Sequence, residues 1–517
     1  MDKIQILWVD DEIDLLRPHI LFLEQKGYAV DTTNNGAEAL EMVSKNPYDI
    51  IFLDEQMPGL SGIETLEKIK EDFPGIPVVM ITKSEEESIM EEAIGSKISD
   101  YLIKPVNPKQ ILLSLKKNLD EKKLVSEKST SQYQQEFSPL GMRISSYLDH
   151  NEWADVYKKL VRWELELEKS TDSGIKEILN MQKMEASKVF SKFIENNYVD
   201  WVNGKSKDHP VLSHTVFKEK LFPKLTTGKP LFLILIDNLR YDQWKVIQPI
   251  LEQRFRVVND QIFYSILPTV TQYARNAMFA GLMPTEIQKK YPQYWTSEED
   301  EGTKNQFEDK LMEELLKRYG KNVKMSYTKV LNLNVGRKLV DSLPNLMGND
   351  LNVIVYNFVD MLSHARTEME IIRELADEEP AYRSLTLSWF EHSPLKDIFD
   401  YIAEKKADVI ITTDHGSVRV NDPVKVLGDR NTNTNLRYKT GKALQFNQKE
   451  VFEVKNPSDI YLPKVNVSSS YIFCKRNDFF AYPNNYNYYV NYYKNTFQHG
   501  GISMEEILIP YIELKAK

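Results

Sequence analysis

Cysteine, long apolar runs and dense basic segments are all nearly or wholly missing from this chain. Its 517 residues include one cysteine, Cys474, so an internal disulfide is impossible and a reducing compartment fits the sequence. No stretch approaches the roughly 18 uninterrupted apolar residues of a membrane span, and acids interrupt the N-terminal segment where a signal peptide would be apolar. We therefore expect a soluble, cytoplasmic protein without a membrane span.

Basic residues are scattered and outnumbered, which gives a net charge of −10. Proteins that bind duplex DNA usually present a basic face, so we expect no duplex DNA binding. A small anionic substrate held by metal ions stays possible. Hydrophobic residues make up 42% of the chain, enough for extensive cores. Length and changes in pattern predict an α/β protein with three domains, at residues 1–120, 121–205 and 206–517.

The first hundred residues alternate short apolar runs with segments of helical period. The predicted strands are residues 4–9, 28–33, 48–53, 77–82 and 100–103. Such an alternation is typical of a doubly wound parallel sheet, in which functional groups gather at the carboxyl ends of the strands. The polar residues at these ends are Asp10, Asp11, Asp54, Thr82 and Lys104. Three acids can bind Mg²⁺, and the hydroxyl and the lysine can hold a phosphoryl group on one acid.

The segments VDDE, FLDEQMPGLSG, ITK and YLIKP, in this order, resemble the receiver domain of bacterial response regulators, a flavodoxin-like fold. Solvated turn acids are the alternative for any one of these residues, but all of them in order favour a receiver. The resemblance implies that Asp54 is the phosphoacceptor and that Asp10, Asp11 and Asp54 bind Mg²⁺. It also implies switch roles for Thr82 and Tyr101, a phosphoryl contact for Lys104, and a sensor histidine kinase as partner.

The middle of the chain has helical patterns and no catalytic cluster. Residues 108–137 are charged and free of glycine, and they predict a helix followed by a polar joint. Further helices are predicted at 139–148, 153–169 and 174–197. We expect a small α-helical bundle that transmits a signal or dimerises.

Three buried-strand patterns in the C-terminal part are each followed by an acid. The sequence LFLILIDNLR leads to Asp237, NVIVYNFVDMLSH ends a strand at Asp360 with His364 four positions on, and ADVIITTDHG leads to Asp414-His415. A spacing of four places two side chains on one side of a helical turn. His499 follows in FQHGG. Carboxylates and imidazoles suit zinc, and six ligands suit two ions that each keep a position for substrate.

The segment LPTVTQYARNAMFAGLMP offers a nucleophile. Thr271 is expected at the N-terminus of a helix, where backbone N–H groups favour an anion. A threonine alkoxide can attack phosphorus there. An ordinary helix cap is the alternative. The six candidate ligands favour the nucleophile.

Residues 206–517 resemble the alkaline phosphatase superfamily, an α/β fold, and within it the nucleotide pyrophosphatase/phosphodiesterase branch and the PglZ domain. The resemblance implies two zinc ions, with zinc and manganese both open. The implied ligands are Asp237, Thr271, Asp414 and His415 for one ion, and Asp360, His364 and His499 for the other. Ala274 stands where phosphodiesterases often carry a phosphate-binding Asn, with Arg275 and Asn276 as possible substitutes. Gly416 is expected to let the chain turn beside the ion.

Together the three parts resemble response regulators of type IX secretion in Bacteroidetes. That resemblance implies a phosphodiesterase for cyclic and linear oligonucleotides and a role in controlling secretion. We expect phosphorylation to gate this activity and to favour a homodimer, with the question whether dimerisation is the activating step left open. The alternative is a phospho-switch that docks on a sigma factor or a secretion component and keeps a structural or vestigial metal site. The tyrosine-rich segment 479–497 either stacks nucleobases or packs on the core.

Overall fold

The computed structural model describes most of the chain. The described residues are 3–82, 98–115, 117–118, 121–168, 170, 172–297, 304–360, 378–429, 432–464 and 468–517. His364 therefore lies outside them. Contacts divide the chain into two compact units, one of Met1–Gln134 with Lys169–Thr171, the other of Gln135–Glu168 and Asp172–Lys517. No helix within these ranges combines the length and the apolarity that a bilayer crossing requires.

The first unit contains a parallel sheet with strand order β2-β1-β3-β4-β5. Its strands are β1 (Gln5–Val9), β2 (Ala29–Thr33), β3 (Ile50–Asp54), β4 (Val78–Thr82) and β5 (Asp100–Ile103). Its helices are α1 (Arg17–Gln25), α2 (Gly36–Lys45), α3 (Gly62–Asp72) and α4 (Pro108–Leu115). The central strands are buried on both faces, as their continuous apolar runs require. All five predicted strands and their parallel arrangement are confirmed.

Long helices follow, namely α5 (Glu121–Ser145), α6 (His150–Glu168) and α7 (Ser173–Val202). The prediction of a polar joint before residue 139 is wrong, because α5 runs through it. The joint sequence contains no glycine, and lysine, glutamate and glutamine are good helix formers, so a polar segment can stay helical. The helices predicted at 153–169 and 174–197 are confirmed as α6 and α7 within a few residues. The helix predicted at 139–148 is not a separate element, since residues up to 145 form the end of α5.

Helices α6 and α7 pack on the C-terminal domain inside the second unit. Aromatic rings form this contact, with Trp201 meeting Tyr264 edge to face at 5.6 Å and Phe190 meeting Tyr264 at 6.5 Å. The Tyr264 hydroxyl also donates to the carbonyl of His150 at 2.7 Å. The helical segment and the C-terminal sheet therefore share one core.

The second unit contains a mixed sheet with strand order β7-β19-β10-β6-β9-β8. Its strands are β6 (Leu231–Ile236), β7 (Phe255–Tyr264), β8 (Met325–Val330), β9 (Leu351–Tyr356), β10 (Asp408–Thr412) and β19 (Leu508–Ala516). The neighbours β10, β6 and β9 are parallel, so their carboxyl ends meet at one edge. β9 ends at Tyr356, and Asp360 lies in the helical turn that follows. The expectation that this strand ends at Asp360 was therefore wrong.

Helices and small sheets surround the mixed sheet. The helices are α8 (Tyr241–Leu251), α9 (Thr271–Ala280), α10 (Pro284–Lys290), α11 (Glu308–Arg318), α12 (Leu333–Leu346), α13 (Glu379–His392), α14 (Pro394–Glu404), α15 (Tyr486–Tyr493) and α16 (Met504–Ile507). The remaining strands are β11 (Val418–Arg419), β12 (Asp422–Leu427), β13 (Tyr438–Lys442), β14 (Gln445–Phe446), β15 (Val451–Val454), β16 (Ser469–Cys474), β17 (Asp478–Ala481) and β18 (Phe497–Gln498). The protein is thus α/β overall, with a helical middle.

Candidate metal centre and phosphorylation site

The acids of the first sheet converge as the sequence predicts. Asp10, Asp11 and Asp54 each present a carboxylate oxygen within 4.8 Å of the others. The Lys104 ammonium lies 2.9 Å from Asp10 Oδ2 and 2.9 Å from Asp54 Oδ1. Three acids around one point repel one another unless a cation joins them, so the residues fit a hard ion such as Mg²⁺.

Burial sets the electrostatics of this site. Burial raises the pKa of Asp54 to about 6, and the charges of Asp10 and Asp11 add to this against the opposing Lys104. Burial also works against the Lys104 charge, but the hydrogen bonds to Asp10 and Asp54 outweigh it and raise the pKa of Lys104. The Thr82 hydroxyl donates to the Glu55 carboxylate.

Tyr101 lies on β5 with its side chain exposed. Its position leaves the ring accessible on the outer strand of the sheet, next to the strand that carries Thr82. An accessible ring near the phosphoacceptor edge is compatible with the switch role that the resemblance implies.

A second cluster forms where β6 and β10 end. Asp237, Asp414 and His415 are fully buried, and each offers one ligand atom within 4.8 Å of the others. His415 Nε2 lies 3.8 Å from Asp237 Oδ1, 3.6 Å from Asp414 Oδ2 and 3.1 Å from Thr271 Oγ1. Four tetrahedral ligands around zinc stand about 3.4 Å apart, and these separations bracket that value.

One oxygen of this cluster has no donor. Asp237 Oδ1 is buried and accepts no hydrogen bond from the residues that the structure describes. Such an oxygen is costly unless a partner satisfies it, and a metal ion is a partner that fits two acids and an imidazole. The residues therefore fit zinc.

The two candidate ligands His415 and His499 are each oriented by a backbone carbonyl. The Nδ1 of His415 lies 3.2 Å from the carbonyl of Gly416, and the Nδ1 of His499 lies 3.3 Å from that of Thr269. A carbonyl only accepts, so Nδ1 carries the proton and Nε2 keeps its lone pair, as metal-binding histidines require. The two rings stack at 4.3 Å, which brings His499 next to the first cluster.

His499 also lies next to Asp360, in addition to His415. Asp360 Oδ1 lies 3.6 Å from His499 Nε2. These two are the described members of the second predicted ligand set, since His364 falls outside the described residues. Six of the seven predicted zinc ligands thus lie at one edge of the sheet.

Thr271 is the first residue of α9, as predicted. Helical hydrogen bonds of α9 start at the N–H groups of Tyr273 and Ala274, which bond to Val270. The N–H groups of Thr271 and Gln272 precede them at the positive end of the helix dipole. This end suits a negatively charged oxygen on the threonine or on a substrate.

Arg275, one turn further along α9, was a candidate for phosphate contact, but its guanidinium pairs with carboxylates of the site. Its guanidinium is fully buried, pairs with Asp237 Oδ2, and donates from Nε to Asp414 Oδ2 at 3.1 Å. A third carboxylate, that of Glu308 on α11, lies 3.3 Å from Nη1. Glu308 also accepts hydrogen bonds from Tyr327 and Lys329.

Asp414 and Asp237, which both pair with Arg275, have pKa values shifted in opposite directions. Burial opposes ionisation of Asp414, but Arg275 and His415 hold the pKa of Asp414 well below its usual range. Burial raises the pKa of Asp237 well above its usual range, with Asp414 and Asp360 adding to it against Arg275.

The sequence did not reveal the role of Glu308. It lies within the segment 291–309, whose polar and acidic composition predicts a lid or a solvated loop. The candidates for phosphate contact also have partners, because the Asn276 amide donates to the carbonyls of Gln272 and Lys304.

Family models match all three parts of the chain. Residues 6–116 match the response regulator receiver domain, 123–202 the PorX response regulator linker domain and 216–514 the BREX system PglZ alkaline phosphatase-like domain. The chain is therefore a response regulator with an alkaline phosphatase-like domain. The last match covers more than half of the chain, which thus belongs to the PglZ alkaline phosphatase-like family. The three matches together are those of a PorX-like response regulator.

Curated relatives and solved structures match a shorter region. The chain is 36% identical over 115 residues to the transcriptional regulatory protein ResD of Bacillus subtilis (strain 168), covering 22% of this chain and 48% of ResD. It is 34% identical over 140 residues to ZraR of Klebsiella oxytoca, covering 27% of this chain and 32% of ZraR. The chain thus spans about half or less of the relatives' lengths.

Two solved structures of receiver proteins are each similar to about the same share of this chain. A CheY-like receiver domain protein from Methanospirillum hungatei JF-1 is 29% identical, with a TM-score of 0.23, and the match covers 23% of this chain and 96% of that one. CheY4 of Vibrio cholerae is 28% identical, with a TM-score of 0.22, and the match covers 23% and 100%.

Proposed function

We propose that the chain is a two-component response regulator in which phosphorylation of Asp54 controls a zinc-dependent phosphodiesterase. The observation that carries this proposal is the buried cluster around His415, whose spacings match the edges of a tetrahedral zinc site. The orphaned oxygen of Asp237 supports it. A vestigial site would have lost a ligand or the nucleophile, and here both are present.

The proposed ligands divide into two sets, as the resemblance implies. One ion would be held by Asp237, Thr271, Asp414 and His415, and the other by Asp360, His364 and His499. When bound, two such ions supply Lewis acidity to the attacking and leaving oxygens of an in-line phosphoryl transfer.

The chain's own residues prepare the nucleophile. Thr271 Oγ1 is the attacking atom, and it lies at the positive end of α9 and 3.1 Å from His415 Nε2. Arg275 holds Oδ2 of Asp237, so Oδ1 of that acid stays directed at His415. It also contacts Oδ2 of Asp414, the same oxygen that lies 3.6 Å from His415 Nε2.

In the receiver, Asp54 accepts a phosphoryl group from a sensor histidine kinase while Asp10, Asp11 and Asp54 bind Mg²⁺. Lys104 contacts the phosphoryl group, and Thr82 and Tyr101 report its presence. Receiver pairing in a homodimer then raises the activity of the metal domain.

The proposed substrates are cyclic and linear oligonucleotides, and the proposed process is the control of type IX secretion. The tyrosines of α15 support an aromatic substrate, because the Tyr488 ring is 64% exposed and stacks on Tyr492 at 6.2 Å. Exposed aromatic faces can bind bases at about 1–3 kcal/mol each. A sigma factor or secretion component stays a possible docking partner.

The test measures metal content and the hydrolysis of bis-p-nitrophenyl phosphate and a short oligonucleotide. It compares the natural chain with Thr271→Val, each with and without acetyl phosphate. We expect about two zinc ions per chain in both proteins, turnover only in the natural chain, and more turnover after phosphorylation. Bound zinc without turnover in any state would refute the enzyme and favour the docking switch.

A further inference from the structure

A second buried arginine, Arg240, lies beside the metal cluster without touching its ligand atoms. It follows Asp237 by three residues and precedes α8. Its guanidinium makes a fork with Asp242, with Nε 3.0 Å from Oδ1 and Nη2 2.6 Å from Oδ2, and it also pairs with Glu379. The side chain is 1% exposed. Burying a charged side chain costs free energy, so the buried position of Arg240 calls for a structural or functional reason.

The side chain of Arg240 supports the segment that contains His415. A Cβ added at Gly416 would lie 3.3 Å from Arg240 Cγ and 2.0 Å from the carbonyl oxygen of Glu505. Arg240 Nη1 also lies 3.5 Å from the carbonyl of Ser417. The chain that delivers two ligands is therefore packed directly on the arginine stem.

The same guanidinium covers the aromatic pair that leads to the other ligands. Arg240 Cζ lies 5.0 Å from the ring centre of Phe497 and 5.4 Å from the ring centre of Tyr382. These two rings stack with their centres 4.0 Å apart. Phe497 precedes His499 by two residues. The Tyr382 hydroxyl donates to the carbonyl of Val359 at 3.4 Å, immediately before Asp360.

The anchor of Arg240 continues into the helical segment. Asp242 also accepts from Arg383 at 3.1 Å, and Arg383 donates to Glu164 at 3.0 Å and to Glu168 at 2.6 Å. Glu164 and Glu168 belong to α6, and Glu164 pairs in turn with Lys183 of α7. The position of Arg240 is thus fixed partly by helices outside the catalytic sheet.

We propose that Arg240 is the positioning residue of the metal centre, holding the segments of Asp237, Asp414-His415, Asp360 and His499 in one arrangement. The inference rests on the proposed function, since it takes these residues to bind zinc. Residues that orient metal ligands change affinity or activity by about 10- to 100-fold when they are replaced. Arg240 acts in this way on backbone segments.

The test compares Arg240→Met and Arg240→Lys with Leu343→Ala, which leaves a cavity in the core at α12 and removes none of the Arg240 contacts described above. Zinc affinity is measured by competition with a chromophoric chelator, and the melting temperature of the zinc-free chain is measured separately. Steady-state kinetics use bis-p-nitrophenyl phosphate. We expect Arg240→Met to lose about 10- to 100-fold in zinc affinity and in kcat, with KM nearly unchanged.

Arg240→Lys keeps the positive charge and loses the paired hydrogen bonds to Asp242. Its zinc affinity should therefore fall between those of the natural chain and Arg240→Met. Leu343→Ala should lower the melting temperature and leave zinc affinity intact. Equal zinc affinity in Arg240→Met and the natural chain overturns the inference, as does an equal loss in Leu343→Ala.

A milder variant covers the case in which Arg240→Met does not fold. Glu379→Gln removes the negative charge that pairs with Arg240, at a side chain that is 26% exposed, and leaves at most a weaker neutral hydrogen bond. It should lower zinc affinity in the same direction. Unchanged affinity in this variant overturns the inference. A natural chain that binds no zinc refutes the proposed function and this inference with it, whereas zinc and turnover without dependence on Arg240 refute the inference alone.

Discussion

Replacing Asp54 by asparagine should stabilise the receiver when no divalent cation is present. The Asp54 carboxyl is buried beside Asp10, and its pKa is raised to about 6 from an ordinary 3.8. The folded receiver therefore holds a proton more tightly than the unfolded chain does. Asparagine has nearly the same shape, carries no charge at any pH, and still offers Lys104 an acceptor.

The sign and the size of the effect follow from this pKa. A carboxyl whose folded pKa is raised supports stability at low pH, and that support is lost as the pH rises through about 6. The difference between 3.8 and about 6 corresponds to about 3 kcal/mol once the group is ionised in both states. We therefore expect Asp54→Asn to gain up to about 3 kcal/mol at pH 8, about half of that at pH 5 and little at pH 4. Mg²⁺ should remove the gain, because the cation stabilises the charged acids of the natural chain.

Amide hydrogen exchange with mass spectrometry can measure this in the full chain. Peptides from β1 and β3 report the free energy of opening of the receiver alone, apart from the second unit. Asp72→Asn is a matched control, since that side chain is exposed at the end of α3. No gain at pH 8 without Mg²⁺, or a gain that persists at pH 4 or in Mg²⁺, would refute the reasoning.

Three further predictions concern the metal domain. Arg275→Met leaves buried carboxylates unpaired, so the zinc-free chain should lose about 3–5 kcal/mol and zinc should raise its melting temperature more than it raises that of the natural chain; an unchanged zinc shift would contradict this. His499→Ala should leave one of the two proposed ions bound, as measured by atomic emission, and full metal content would exclude His499 as a ligand. Gly416→Ala should destabilise the fold by more than about 1–3 kcal/mol in urea unfolding, because its Cβ would overlap the Glu505 carbonyl; a wild-type midpoint would disprove the close approach.

The local pattern of apolar and acidic residues was enough to predict which acids lie at the carboxyl ends of the strands in both sheets. Apolar runs ending in an acid predicted that Asp10 and Asp54, and separately Asp237 and Asp414, would converge. They do so because parallel neighbours such as β6 and β10 end at the same edge. The role of Gly416 was predicted less well. The glycine makes room for the backbone of Glu505, a contact between segments almost ninety residues apart that the TDHG motif does not reveal.

The buried ion pairs could not be predicted from the sequence, because their partners are distant along the chain. Arg275 pairs with Asp414 across 139 positions, and Arg383 pairs with Glu164 across 219. Arg275, Arg383 and Glu164 each lie in a helix, where an exposed position is the normal expectation for a charged residue. Only the tertiary structure places them inside, where hydrogen bonds and opposite charges offset the cost of burial.

The charges around the ligand cluster also bear on the substrate class. Asp237, Asp360, Asp414 and Glu308 would contribute four negative charges. The two proposed divalent ions with Arg275 and Lys329 would contribute six positive ones. Histidine ligands are neutral when they bind metal. The excess of two is balanced when Thr271 ionises and a phosphodiester monoanion binds, whereas a phosphomonoester dianion would leave the buried site negative. Since uncompensated charge is costly in a buried site, we expect the proposed enzyme to favour diesters over monoesters, and Arg275 would contribute to that preference.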